Sequence, residues 1–114
     1  MPCVARVDPS DGALILEGTL LGEEAATLDG LLVRAERALP PGPVRVEMGE
    51  LELEDGVATA IAVTALRGLL ARRSALTLVE PPQMLAHTLY RIGAMEDGRL
   101  VVEGVRSEEP TTAN

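Results

Sequence analysis

Short apolar runs bounded by turn-forming residues predict the strands of this chain. The predicted strands cover residues 4–7, 13–21, 44–48, 75–79 and 99–103. The turn formers at 8–12 join the first two strands as a hairpin, and the third strand alternates apolar and polar residues with a period of two. The acidic segment 49–54 alternates in the same way, which fits either a continuation of the third strand or a loop.

Three segments place apolar residues at helical spacing. Helix one begins with the acidic residues at 23–24 and ends before the proline-rich segment 40–43, which cannot continue a helix. Helix two begins after Asp55, a favourable N-cap, and helix three ends at Gly93, the expected left-handed cap. The predicted buried stripes are Leu28, Leu31, Leu32, Ala35 and Leu39 in helix one, Ala58, Ala62, Ala65, Leu66 and Leu69 in helix two, and Leu85, Leu89 and Ile92 in helix three.

The order of these elements is β-β-α-β-α-β-α-β, which predicts an α/β fold with a mixed β-sheet and helices packed on it. Helices between the later strands imply right-handed crossovers and parallel pairs, whereas the opening hairpin adds an antiparallel pair. The chain of 114 residues is 46% apolar, which is enough for one core without a disulfide or a metal. We therefore predict one domain over residues 1–106 and a disordered tail over 107–114, which has little to bury.

The charge balance narrows the classes of partner. Ten basic residues, all of them arginine, and eighteen acidic residues give a formal net charge of −8. Such a chain repels nucleic acid and anionic membrane surfaces, so we expect basic or neutral protein partners and no nucleic acid. No stretch has the features of a signal peptide or of a membrane span, which predicts a cytoplasmic protein without membrane insertion. The sequence does not indicate an oligomeric state.

Few residues of the chain have the chemistry of catalysis. Cys3 and His87 are its single cysteine and histidine, which excludes an internal disulfide and a cysteine-rich zinc site. On helix three, His87, Tyr90 and Arg91 project away from the predicted buried stripe and suggest an exposed contact patch. The acidic residues within 47–55 lack the ligand spacing of a calcium loop, so we interpret them as a solvated rim. We expect no enzyme, no cofactor and no metal site.

Three stretches follow one another in the order typical of a known family. Residues 14–20 read LILEGTL, residues 44–62 are a strand followed by the Asp-capped start of helix two, and residues 76–93 are an apolar strand, a proline turn and a helix ending in glycine. In this order and spacing the chain resembles the STAS domain, the fold of bacterial anti-sigma factor antagonists. The resemblance covers residues 4 to 105, nearly the whole predicted domain.

This resemblance implies a non-catalytic signalling module in the regulation of transcription, which binds a kinase-type anti-sigma factor around the start of helix two. The residues it places in that contact are Glu52, Glu54, Asp55, Gly56, Val57 and Thr59. In many family members, phosphorylation of the serine right after the aspartate switches binding. Asp55 matches the aspartate, but Gly56 occupies the acceptor position and has no hydroxyl. Thr59 is the nearest alternative acceptor, at a position that the family usually fills with an apolar residue.

The missing acceptor leaves alternatives for the function. One is a constitutive or differently regulated binding module in a sigma-factor or stress-signalling circuit. Another is similarity to the STAS accessory subunits of lipid-transport ABC systems, which dock on the ATPase, because some of these also depart from the serine pattern. A third alternative is a STAS-like module that binds a nucleotide or another small ligand. It requires a pocket with polar groups, and the sequence does not indicate one.

Overall fold

The computed structural model describes residues 2–8, 10 and 12–105, without the side chains of 24–26. Its elements are β1 (Val4–Asp8), β2 (Ala13–Leu20), a 3₁₀ segment (Gly22–Thr27), α1 (Leu28–Glu36), β3 (Val44–Leu53), α2 (Gly56–Arg72), β4 (Leu76–Val79), α3 (Gln83–Arg91) and β5 (Leu100–Glu103). Strands and α-helices follow one another in the predicted order. The predicted tail, 107–114, lies outside the described residues.

The five strands form one mixed sheet with the spatial order β1-β2-β3-β4-β5. The hairpin partners β1 and β2 are antiparallel, and β2, β3, β4 and β5 run parallel to one another. This arrangement confirms the predicted mixed α/β sheet. Because β2 to β5 run in the same direction, their last residues lie along one edge of the sheet, here named the carboxyl edge, and their first residues lie along the opposite amino edge.

The core occupies one face of this sheet, beneath the helices. Along β3, Val44, Val46 and Met48 are buried, whereas Arg45 between them is exposed on the open face. The helix-two stripe from Ala58 to Leu69 is buried as predicted. One polar and one packed face per strand is the pattern of a sheet that is covered on one side.

Strand β3 is longer than the predicted 44–48 and continues through the acidic segment to Leu53. The parallel register pairs Ile15 with Glu47 and Glu17 with Glu50, so β3 has one more residue than β2 between these pairs. Such a bulge shifts the phase of the alternation. Met48 and Leu51, three residues apart, are therefore both buried, which a strict period of two does not predict.

Helix one is shorter than predicted. Its expected first turn is a 3₁₀ segment, and the α-helix proper ends at Glu36 instead of continuing to residue 39. Leu39 is nevertheless buried, in the turn that follows. The helix ends early because Leu39 precedes a proline, which disfavours helical geometry, and because the Arg73 side chain donates to the carbonyl of Glu36 at 2.8 Å.

The prediction for Ile92 is wrong. Helix α3 ends at Arg91, and Ile92 is 47% exposed, whereas Leu85, Ala86 and Leu89 form the buried stripe. The chain reverses at Gly93, whose φ of 76° confirms the predicted left-handed cap, and the amide of residue 94 returns to the carbonyl of Leu89 at 3.1 Å. Within the described part of the chain, every helix is too short or too polar to cross a lipid bilayer.

Candidate functional site

The predicted contact surface lies at the carboxyl edge, where β3 passes into α2. Asp55 adopts an extended backbone and its Oδ1 accepts a hydrogen bond from the amide of Ala58 at 2.9 Å. This bond satisfies one of the amides that the first helical turn leaves without a partner. The structure thus confirms Asp55 as the N-cap that the sequence predicts, and the helix begins at Gly56.

Glu54 connects this surface to the end of β2. Its Oε1 accepts from the amide of Gly22 at 3.0 Å, and its own amide donates to the carbonyl of Leu20 at 3.0 Å. Two loops that are far apart in sequence are therefore held together. This role of Gly22 could not be predicted from local patterns, because the contact joins residues 32 positions apart.

Gly56 and Val57 form the outermost part of the surface. Val57 is 58% exposed, and no heavy atom outside its chain neighbours and the local helix backbone lies within 4 Å of the position that a Cβ on Gly56 would occupy. A side chain at position 56 would therefore project freely from the first turn of α2. Position 56, where the resemblance places the phosphate acceptor, is accessible, although glycine has no hydroxyl.

Unlike the other predicted contact residues, Thr59 is buried. It is 4% exposed, and its Oγ1 donates to the carbonyl of Asp55 at 3.0 Å. The hydroxyl is therefore part of the helix start and is covered by it. A kinase would reach Thr59 only if the first turn of α2 opened, and its phosphorylation stays a prediction.

A small cavity of about 140 Å³ lies beside the helix start. Glu52, Glu54 and Asp55 contribute to its lining, and the segment before α3 contributes Pro82 and Met84. Met84 is more than half exposed, like Val57, so two apolar side chains lie among carboxylates. Met84 could not be assigned to this surface from the sequence, since only the packing of α3 beside α2 brings it there.

The other candidate features lie outside the lining of this cavity. Among the described residues, no three His, Cys, Asp or Glu side chains are grouped as a metal site requires. On α3, His87, Tyr90 and Arg91 are all exposed, as the helical spacing predicts. On β1, the hydrogen bond with the Glu17 carboxylate at 2.9 Å raises the pKa of Arg6 above its usual value.

Glu80 is a further unusual residue at the carboxyl edge that the sequence did not single out. Its φ is +53°, although a proline follows it and it is not glycine. Its amide donates to the carbonyl of Glu103 at 2.8 Å, which continues the pairing of β4 with β5. The carboxylate lies 2.8 Å from where a Cβ on Gly49 would be, so Gly49 leaves the space that Glu80 uses.

Compared with known proteins, the chain matches no family model, no curated protein and no solved structure.

Proposed function

We propose that this protein is a non-catalytic regulatory module of the STAS type, which binds a kinase-type anti-sigma factor through the start of α2. The contact surface consists of Glu52, Glu54, Asp55, Gly56, Val57 and Thr59, with Met84 added at its border. Within this set, Thr59 supports the helix start from inside, and the other residues face the partner.

The observation that carries the proposal is the Asp55-capped start of α2 at the carboxyl edge of a mixed sheet. The resemblance of residues 44–62 to the family implies this element at this place, and α2 begins one residue after Asp55. The two connections that meet there are tied by the bond from the Gly22 amide to Glu54. A surface held in this way keeps its shape before the partner arrives, which lowers the entropic cost of binding.

The chemistry of the surface defines the partner. Val57 and Met84 offer exposed apolar contacts, and Glu52, Glu54 and Asp55 surround them with negative charge. A complementary protein surface has an apolar centre bordered by arginine or lysine. Attraction of this kind accelerates encounter and selects against acidic partners.

The residue at position 56 determines how the module is regulated. With glycine there and Thr59 buried, no hydroxyl is available on the outer side of the first turn. We propose that this module binds its partner without the phosphorylation switch, so that control lies with the amount of protein or with the partner.

The charge-probe experiment replaces Gly56 with Asp and uses Gly30→Asp as the matched control. Both glycines are helical, and neither has a heavy atom of another part of the structure within 4 Å of an added Cβ, so both variants are expected to fold. An acid at the start of α2 also interacts favourably with the helix dipole. Tagged wild-type protein and both variants are purified from the native cells, and co-purified proteins are identified by mass spectrometry.

The proposal predicts that a kinase-fold protein co-purifies with the wild type and with Gly30→Asp, and that Gly56→Asp retains much less of it. Equal recovery with Gly56→Asp would contradict the assignment of the contact surface. Recovery of an ABC-type ATPase in place of a kinase-fold protein would contradict the anti-sigma assignment and favour the transport-accessory alternative.

A further inference from the structure

The ends of α1 and α2 border a second surface, at the amino edge and away from the start of α2. Between these helix ends and the turn that follows α1 lies an open cleft of about 550 Å³. Three arginines, Arg37, Arg72 and Arg73, contribute to its lining, and Glu36 is the one acid among the described residues that do so. The formal charge of the lining is thus +2, in a chain whose total is −8.

Helix C-termini normally disfavour anions, because their last carbonyl oxygens have no intrahelical partner. Here arginine side chains donate to one carbonyl in the last turn of each helix, that of Glu36 in α1 and that of Leu70 in α2, and to carbonyls of the residues that follow. Arg73 donates to the carbonyls of Glu36 at 2.8 Å and of Gly42 at 3.4 Å, and also to that of Pro40. Arg99 does the same for α2, donating to the carbonyls of Leu70 at 2.8 Å and of Arg73 at 3.0 Å.

The single acid of the cleft is also neutralised. One oxygen of Glu36 accepts from Nε of Arg72 at 2.6 Å, and the other accepts from Nε of Arg73 at 3.1 Å. With both carboxylate oxygens paired, Glu36 contributes little repulsion towards an incoming anion. It also fixes the plane of the Arg72 guanidinium, which is a pre-organised donor.

Three donor groups remain available around the cleft. They are Nη2 of Arg72, the whole guanidinium of Arg37 and the hydroxyl of Ser74, none of which meets an acceptor in the described part of the chain, whereas Nη1 of Arg72 lies towards Gly68 and Asp29. Arg37 and Ser74 are exposed, and the side chain of Arg72 is 36% exposed. Solvent-accessible arginine forks beside a hydroxyl suit an anion with several oxygens.

We propose that this cleft binds the phosphate group of a soluble small molecule. Guanidinium forks match the geometry of phosphate oxygens, and two of them can share one phosphate or diphosphate. A lipid headgroup carries the same chemistry, but a chain with a charge of −8 is repelled by an anionic bilayer, so the proposed source is a free phosphate ester. This site is independent of the proposed partner surface at the start of α2.

The test titrates purified protein with pyrophosphate at low ionic strength and records heat by calorimetry. The variants are Arg37→Gln and Arg72→Gln. Arg34→Gln is the matched control, because Arg34 is exposed in the last turn of α1 but does not line the cleft. Arg37 makes no ion pair in the described structure, so its loss should leave the fold intact even if Arg72→Gln is less stable. Loss of one charged contact should raise Kd about ten-fold.

The expected result is saturable binding by wild type and Arg34→Gln, and roughly ten-fold weaker binding by Arg37→Gln and Arg72→Gln. Absence of binding by the wild type, or unchanged affinity of Arg37→Gln, would overturn the proposal. In a second arm, the protein is sedimented with phosphatidylglycerol vesicles. We expect it to stay in the supernatant, and co-sedimentation that Arg37→Gln abolishes would overturn the assignment to a soluble ligand.

Discussion

Gly18 shows how one residue decides the path of the chain. It lies within β2 with a φ of +97°, and a Cβ built on it would lie 2.2 Å from the carbonyl oxygen of Pro2. Pro2 forms an isolated parallel bridge with the neighbouring Thr19, so the N-terminal segment lies against β2 at this point. Only glycine allows both the backbone conformation and the close approach.

We therefore predict that Gly18→Ala lowers the free energy of unfolding by about 1–3 kcal/mol, because the strained backbone and the contact with Pro2 are both affected. Gly30→Ala is the control, since Gly30 lies in α1 with free space around it and should gain up to about 1 kcal/mol. Urea unfolding followed by circular dichroism measures both. Equal stability of the two variants would show that the N-terminal segment does not pack closely against Gly18.

At the scale of elements, Arg73 joins the end of α1 to the end of α2. Its side chain is 7% exposed and donates to the carboxylate of Glu36 and to several carbonyls of the turn after α1. The proline-rich turn 40–43 has few amides of its own for these carbonyls, so one guanidinium takes over their pairing. Because this cluster is buried, the polar end of α1 packs closely against the end of α2 at the amino edge.

Arg73→Gln should lower the free energy of unfolding by about 3 kcal/mol, because it removes one partner of a buried ion pair and leaves carbonyls unpaired. Arg72→Gln is the comparison, because it makes the same change of charge. The Arg72 side chain is partly exposed and makes a single bond to Glu36, so this variant should lower the free energy of unfolding by less than about 1 kcal/mol. The midpoints of denaturant unfolding of the two variants measure this difference in stability. Similar losses at the two positions would mean that the carbonyl contacts of Arg73 contribute nothing.

In the molecule as a whole, a group of acids and a group of arginines lie at opposite edges of the sheet. Glu50, Glu52, Glu54 and Asp55 lie at or beside the carboxyl edge, where β3 ends and α2 begins. The arginines that close α2 lie at the amino edge, because a helix joining parallel strands must return to the other end of the sheet. The proposed partner surface and the proposed phosphate site therefore lie at opposite edges of the sheet.

With a net charge of −8, repulsion between carboxylates should destabilise the native state at low ionic strength. We predict that Tm rises between 10 and about 150 mM NaCl, a range over which the Debye length falls from roughly 30 to 8 Å. The double variant Glu50→Gln/Glu52→Gln removes two exposed charges of the carboxyl edge and should show a smaller rise. A Tm that falls with salt would indicate that attractive pairs dominate instead. Differential scanning calorimetry gives the comparison.

The elements that were predicted correctly depend on residues close in sequence, and those that were not depend on long-range contacts. The hairpin, the Asp55 cap and the stripe of α2 were predictable because their signals come from residues close in sequence. The length of β3 and the exposure of Ile92 were not, since a bulge and a chain reversal change the register of the pattern. For the candidate site, Asp55 and Val57 were placed correctly at the surface, whereas the burial of Thr59 depends on how the first turn of α2 packs.

The order of strands and helices, the apolar stripe of α2 and the acidic character of the chain follow from the amino-acid sequence, because each depends on periodicity or composition. The contacts between distant residues follow from the way the chain folds: Met84 with the start of α2, Gly22 with Glu54, and Glu36 with Arg72 and Arg73. Such contacts depend on sheet order and helix packing, and no local pattern in a single chain encodes them.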